Sequence, residues 1–211
     1  MAAVSAQPVK RRNREQRRTA LLDAASGLFL EYGYAGTSLD AVIERAGGSK
    51  RDIYTEFGNK EGLFMALIEK ISKTVFGPFL AEDIELHDLR DTLYDIGSAL
   101  MIVLFSPLGI SIYHTIVRDC VLFPELAEKF YATGPARGIA SLTKVLKAAQ
   151  EHGEIVDMDA GILAEHFFAL LRSNMHLKSV LRLRPLPERE EIEASVSSAV
   201  DVFLRGIIVR G

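Results

Sequence analysis

Residues 37–60 read TSLDAVIERAGGSKRDIYTEFGNK, and the order of capping, apolar and glycine residues in this stretch decides the fold. Thr37 or Ser38 opens a helix, and Thr37-x-x-Asp40 has the spacing of a capping box, which satisfies backbone N–H groups of the first turn. Leu39, Val42, Ile43 and Ala46 then fall on one side at helical spacing. Gly47 and Gly48 stop that helix, because glycine takes the left-handed backbone of a helix end without steric cost. Ser49-x-x-Asp52 repeats the capping spacing and starts a second helix, which turns Ile53 and Phe57 inward. Asn59 is placed to cap a third. Two short helices joined by a glycine turn form a helix-turn-helix, here spanning 38–57. The second helix keeps Lys50, Arg51, Tyr54 and Thr55 on its outer side, the position of a major-groove reader. Asp52, which phosphate would repel, is assigned to capping.

Upstream, a helix is expected from Asn13 to Tyr32, with Ala20, Leu21, Ala24, Ala25, Leu28 and Phe29 on its apolar side and Gly33 at its end. Residues 1–12 are expected to form a disordered basic arm ahead of it. The segment 10–18, KRRNREQRR, holds six basic residues and one acid. The net charge of −3 hides an asymmetry: residues 1–60 carry ten Lys and Arg against seven Asp and Glu, and the rest carry 15 against 21. A basic end on an acidic body, followed by a helix-turn-helix, points to nucleic acid. Downstream of Asn59, a longer helix runs to Phe76 with a stripe of Leu63, Phe64, Leu67, Ile68, Ile71 and Val75, and Gly77-Pro78 stops it. Its length lets it belong to both ends of the protein, as a lever between them.

Beyond Glu85 no strand-like alternation of any length occurs, and helices are expected over 86–105, 108–120, 124–132, 135–152, 157–181 and 188–208, punctuated by prolines and glycines. The fold class is therefore all-α: an N-terminal three-helix helix-turn-helix DNA-binding domain (13–75) and a larger helical ligand-binding and dimerisation domain (76–211). Ile96 to Val117 carries no formal charge. Pro107, glycines, serines and His114 interrupt it, so two buried helices meeting at Pro107 are expected, not a membrane span. A single cysteine, Cys120, excludes an intramolecular disulfide framework and a zinc finger and fits a reducing cytoplasm, and the N-terminus lacks the apolar core of a signal peptide. No nucleotide-binding, hydrolase or metalloprotease motif is present, and the five histidines lack metal-ligand spacing. The chain is thus read as no enzyme, with no cofactor and no metal.

The motifs Thr37-Ser-Leu-Asp-Ala-Val, Ala46-Gly-Gly-Ser-Lys, Ile53-Tyr-Thr-Glu-Phe and Lys60-Glu-Gly-Leu-Phe64 together resemble the N-terminal domain of the TetR family of transcriptional regulators, from about Glu15 to Val75. Gly48 departs from the pattern, since the family usually has valine packing into the turn there. Phe123-Pro-Glu-Leu-Ala, Phe130-Tyr and Gly134-Pro-Ala-Arg137 resemble the C-terminal domain of an AefR-like branch. The resemblance implies DNA contacts. Thr37, Ser38 and Lys60 sit at helix starts that can meet phosphate. Tyr54 and Thr55 would touch phosphate or a thymine methyl, and Arg51 a guanine. Ser49 and Lys50 complete the set, and Arg12 reaches for the backbone from the arm. For each, a solvated surface residue is the alternative.

The last two helices are apolar on more than one face, through AGILAEHFFALL at 160–171 and the later repeat of Val196, Val200, Phe203 and Ile207. Such a pair must bury both faces, either centrally in its own monomer or in a four-helix dimer bundle. The resemblance implies the bundle, with Phe167, Leu171, Val196, Val200, Phe203 and Ile207 at the interface of a homodimer. Candidates for a ligand pocket are Tyr94, Met101, Phe105, Tyr113, His114, Arg118, Phe168 and Met175, most of which would serve equally as core. His114 and Arg118, four residues apart on an apolar helix, need polar partners: an internal acid such as Asp95 or Glu165, or an anionic ligand. The expected function is sequence-specific regulation of transcription, most simply repression relieved when a small hydrophobic effector frees the protein from a palindromic operator in double-stranded DNA. The alternative is a helical DNA-binding protein without a small-molecule ligand, either partner-controlled or architectural.

Overall fold

The computed structural model describes residues 7–77 and 88–209, with side chains from Arg14 onward. The described residues form ten helices: α1 (Gln7–Gly36), α2 (Leu39–Ala46), α3 (Lys50–Phe57), α4 (Lys60–Phe76), α5 (Leu89–Leu104), α6 (Pro107–Asp119), α7 (Pro124–Thr133), α8 (Pro135–Glu151), α9 (Ala160–Val180) and α10 (Arg189–Ile207). Extended pairing among the described residues is confined to a single antiparallel bridge, Ile155 with Ile208. Helix starts follow local chemistry. Ser38, Ser49, Asn59, Ser106 and Asp159 each accept a backbone N–H of the first turn, and Pro107, Pro124 and Pro135 open α6, α7 and α8.

Two corrections concern the first helices. α1 begins at Gln7, earlier than the expected Asn13, and it continues for one turn past a break at Gly33 (φ 71°, ψ −178°) to Gly36. The remaining arm, residues 1–6, lies outside the described residues. At α2 the cap is Ser38, whose hydroxyl accepts from Ala41 N at 3.1 Å, so the Thr37–Asp40 capping box does not form. Around Ser49 the expected capping box does form, with Asp52 closing it.

The side chains make two apolar clusters. The first joins Leu21, Leu28 and Phe29 of α1 to Val42, Ile53, Leu63 and Phe64. It also takes Ile112 and Ile116 of α6 and Leu126 of α7, so helices from the second half help build the core beneath the helix-turn-helix. The second cluster is formed by α5, α8, α9 and α10 around Leu93, Leu142, Leu163, Phe167 and Val196. α4 belongs to both. Its first half packs Phe64 edge-on to Phe29 at 5.0 Å, and its last turn packs Phe76 edge-on to Phe168 at 6.2 Å. At the facing position α8 has Gly138, where an added Cβ would come within 2.6 Å of the Phe76 ring.

The expected interface residues are corrected here. Phe167, Leu171, Val196, Val200, Phe203 and Ile207 are all buried inside the chain itself. Their helices pack α9 on α8 and α10 on α5. Of two apolar faces, the broader went inward. The outward residues of the same pair are Ile162, Leu170 and Leu177 on α9 and Val202 on α10, with Val202 57% exposed. No single helix among the described residues is long and apolar enough to cross a membrane, and α5 and α6, apolar enough together, meet at a 72° bend.

Candidate nucleic-acid interface

Val42 and Ile53 are fully buried and lock α2 and α3 onto α1 and α4. Between them, Gly47 N donates to Ile43 O at 2.8 Å, and both Gly47 (φ 74°) and Gly48 (φ 103°) use left-handed backbone. This geometry leaves Lys50, Arg51, Tyr54 and Thr55 exposed along one side of α3, as the helical spacing predicts. Tyr54 is 55% exposed. Ser49 is committed to its cap, its hydroxyl and backbone N–H both 2.9 Å from Asp52 Oδ2. Lys50 Nζ lies 2.8 Å from Asp40 of α2, a solvent-exposed pair weak enough to exchange for a phosphate.

The basic segment has a role that its composition did not reveal. Arg14 pairs with Glu56, Arg17 Nη1 stands 3.2 Å from Asp52, and the Arg18 guanidinium lies 5.4 Å over the Phe57 ring. Asp52 and Glu56 are the two acids of α3. Neutralising them from α1 leaves Lys50, held only by its exposed pair with Asp40, and Arg51 as the charges that α3 presents, which favours approach to a polyanion. The hydrogen bonds to Ser49 and then the Arg17 charge hold the Asp52 carboxyl below the usual aspartate range. The Arg12 side chain lies outside the described residues.

Two expected phosphate contacts are overturned. Thr37 is buried, its hydroxyl donates to Gly33 O at 2.7 Å and its N–H to Tyr34 O at 3.3 Å, so it presents nothing to DNA. Lys60 turns inward. Its Nζ donates to Tyr34 O at 2.9 Å and Thr37 O at 3.1 Å and sits 4.5 Å from the Tyr34 ring centroid. Burial lowers its pKa, against the opposing pull of the Asp119 charge. The C-terminal end of α1 and its link to α2 leave carbonyls without an intrahelical partner, and the ammonium of Lys60 satisfies those of Tyr34 and Thr37.

Asp119, at the end of α6, completes this junction. Its carboxylate is buried, accepts from Arg118 Nε at 2.7 Å and Nη2 at 3.1 Å, and also accepts the backbone N–H of Ala35. Its pKa is lowered, first by the Arg118 hydrogen bonds, with Lys60 adding a smaller Coulomb effect. Arg118 itself is exposed and lies against Gly33, where an added Cβ would meet Nη2 at 2.4 Å. Sequence reading missed Asp119. The available signal was a lone acid closing an otherwise apolar helix.

These contacts correct the expected polar pair in the ligand pocket. Arg118 is satisfied by Asp119, not by Asp95 or Glu165, and has no place in an anion pocket. His114 Nε2 stands 2.7 Å from Val180 O, and because a carbonyl only accepts, this nitrogen carries the proton. The other candidates divide. Met101, Phe105 and Phe168 are buried in the second core, with Tyr94 and Met175 packed against it. Tyr113 is 39% exposed, with its ring edge-on to His176 at 5.3 Å. Two open clefts, of about 340 and 330 Å³, lie elsewhere, beside Arg18, Ala66 and Glu69 of α1 and α4. No cluster of His, Cys, Asp or Glu among the described residues could hold a metal ion.

Comparison with known proteins matches this architecture. Residues 21–67 match the family model described as bacterial regulatory proteins of the tetR family, and residues 91–206 match the AefR-like transcriptional repressor C-terminal domain. The HTH-type transcriptional repressor ComR of Escherichia coli (strain K12) is 41% identical over 73 residues, 33% of this chain and 35% of ComR. The chain spans about a third of the length of such curated relatives. Among solved structures, the Flavonoid-responsive Regulator FrrA is 29% identical with a TM-score of 0.72, covering 93% of this chain and 100% of FrrA. A TetR-family regulator from Mesorhizobium loti is 23% identical and shares the fold, with a TM-score of 0.76 over 93% of this chain and 98% of its own. With the second-domain model alone covering more than half of the chain, and the reading helix built as described, the chain belongs to the TetR family of transcriptional regulators, DNA-binding proteins of the helix-turn-helix type.

Proposed function

We propose that this regulator is a cytoplasmic repressor that binds a palindromic operator as a homodimer and is released from it by a small, mostly apolar effector. The observation that carries this reading is the outer side of α3, where Arg51, Tyr54 and Thr55 stand free beside Lys50 on a helix whose own acids are neutralised from α1. Arg51 can pair with a guanine, and Tyr54 and Thr55 can meet phosphate or a thymine methyl. Repression is supported by the AefR-like repressor model and by ComR, and effector control by FrrA, a flavonoid-responsive regulator. A dimer places two copies of α3 about one duplex turn, ~34 Å, apart on a palindrome. The face available for it is the outer row Ile162, Leu170, Leu177 and Val202.

The effector would act through α4 and α6. α4 has its start in one apolar cluster and its end in the other. α6 joins the α9 carbonyl of Val180, through His114, to the α1–α2 junction, through Asp119. An effector that favours a different setting of these helices shifts the equilibrium only by its differential affinity for the two states, and DNA must weaken effector binding by the same factor. The test is selection of bound duplexes from a random pool with the native chain and Tyr54→Ala in parallel. An enriched palindrome that Tyr54→Ala loses is expected. Salt-sensitive binding with no enriched motif would replace this reading with an architectural one.

A further inference from the structure

His176 is 6% exposed and Ser179 3% exposed, three residues apart on the inward side of α9, yet His176 Nε2 and Ser179 Oγ have no hydrogen-bond partner. Buried polar atoms are almost always paired, because an unpaired one loses its hydration without return. The surroundings are aromatic. The ring of Phe105, just past α5, lies 5.8 Å from the imidazole and the Tyr113 ring of α6 lies 5.3 Å from it, both edge-on. Burial, and then the Arg172 charge, lower the His176 pKa, so the ring is neutral and offers one donor and one acceptor nitrogen.

The backbone nearby is strained. Ser173 takes φ 41° inside α9, a left-handed value rare for a residue with a Cβ, and so separates the segment carrying His176 and Ser179 from the rest of the helix. Its hydroxyl lies 3.3 Å from Met175 N. Strain of this kind persists where the surroundings over-determine it, and it accumulates at ligand sites and switches. The far end of the same segment holds α6 through Val180 O and His114.

We propose that His176 and Ser179 are the polar end of the effector site, opened by movement of α9 about Ser173, and that the effector is an uncharged aromatic molecule bearing a hydroxyl. The proposal rests on the effector-controlled reading above and gives it a chemical class. Phe105 and Tyr113 would flank the ring, and Ser179 and the neutral imidazole would exchange hydrogen bonds with the hydroxyl. Arg118, the cation that had suggested an anionic ligand, is already paired with Asp119, and the charge that acts on His176 is that of Arg172, which is exposed to solvent.

The experiment uses the full chain and two fluorescent probes of the same ring size, β-naphthol and naphthalene, with operator affinity read separately on the same preparations. The native chain is expected to bind β-naphthol roughly tenfold more tightly than naphthalene, the factor one net hydrogen bond supplies. Ser179→Ala, nearly isosteric, and His176→Phe should both bring that ratio toward one while naphthalene binding persists. A ratio near one in the native chain, a ratio retained in both variants, or no binding of either probe to a chain that still binds DNA would overturn the site. Hydroxyl-selective binding that leaves operator affinity unchanged would uphold the site and instead refute release by effector.

Discussion

Lys60→Met separates two roles for the same residue, phosphate contact and internal strut. Methionine keeps the aliphatic stem and removes the ammonium, which in the native chain serves Tyr34 O at 2.9 Å, Thr37 O at 3.1 Å and the Tyr34 ring at 4.5 Å. Hydrogen bonds from a charged donor contribute about 1.5–3 kcal/mol each when well buried. Lys60 is only half-buried, so the pair together is assigned the contribution of one such bond, and the cation–π contact adds about 0.5–1 kcal/mol. The expected loss is therefore about 2–4 kcal/mol. For a chain of this size each kcal/mol moves Tm by about 2–4 °C, so thermal unfolding should fall by about 4–16 °C at fixed protein concentration. The residual fold should bind duplex with an unchanged salt slope. If Tm moves by less than about 1 °C while affinity falls and the salt slope drops by about one charge, Lys60 is a phosphate contact and the junction argument is wrong.

Further outcomes follow from the same contacts. Gly48→Val restores the residue usual in the family but places a β-branched side chain at φ 103°, its Cβ 3.1 Å from Asp52 Oδ2, and should destabilise the chain by about 1–3 kcal/mol in denaturant titration. Val202→Asp, on the outer face, should give folded monomers in sedimentation, whereas Phe203→Ala, one residue on but buried, should cost about 3–5 kcal/mol of stability. Asp119 has a folded pKa below its unfolded value, so its contribution is fully present above about pH 4 and is lost as pH falls through the lowered folded pKa. In Asp119→Asn that part of the acid-induced loss of Tm should be absent.

The elements were legible in the sequence because their signals are local. Ser49-x-x-Asp52, Gly47-Gly48 and Asn59 act within four residues, and the structure places α2, α3 and α4 between them. The prolines at 107, 124 and 135 likewise mark the starts of α6, α7 and α8. The outward side of α3 was equally legible, since helical periodicity alone separates Ile53 from Tyr54 and Thr55.

The helices, their caps and the exposed side of the reading helix were thus readable along the chain, because each depends on near neighbours. Tertiary structure alone decided where shared or ambiguous groups went. Lys60 and Thr37 could have faced phosphate, and the carbonyls at the C-terminal end of α1 and its link to α2 drew them inward. Arg118 could have served an anion, and its neighbour Asp119 took it. The apolar faces of α9 and α10 were both visible in the sequence, but only packing against α5 and α8 determined that Phe167 and Phe203 belong to the core and Leu170 and Val202 to the outside. Hydrogen bonding and burial between residues distant in the chain have no period and no motif, so composition and spacing carry no record of them.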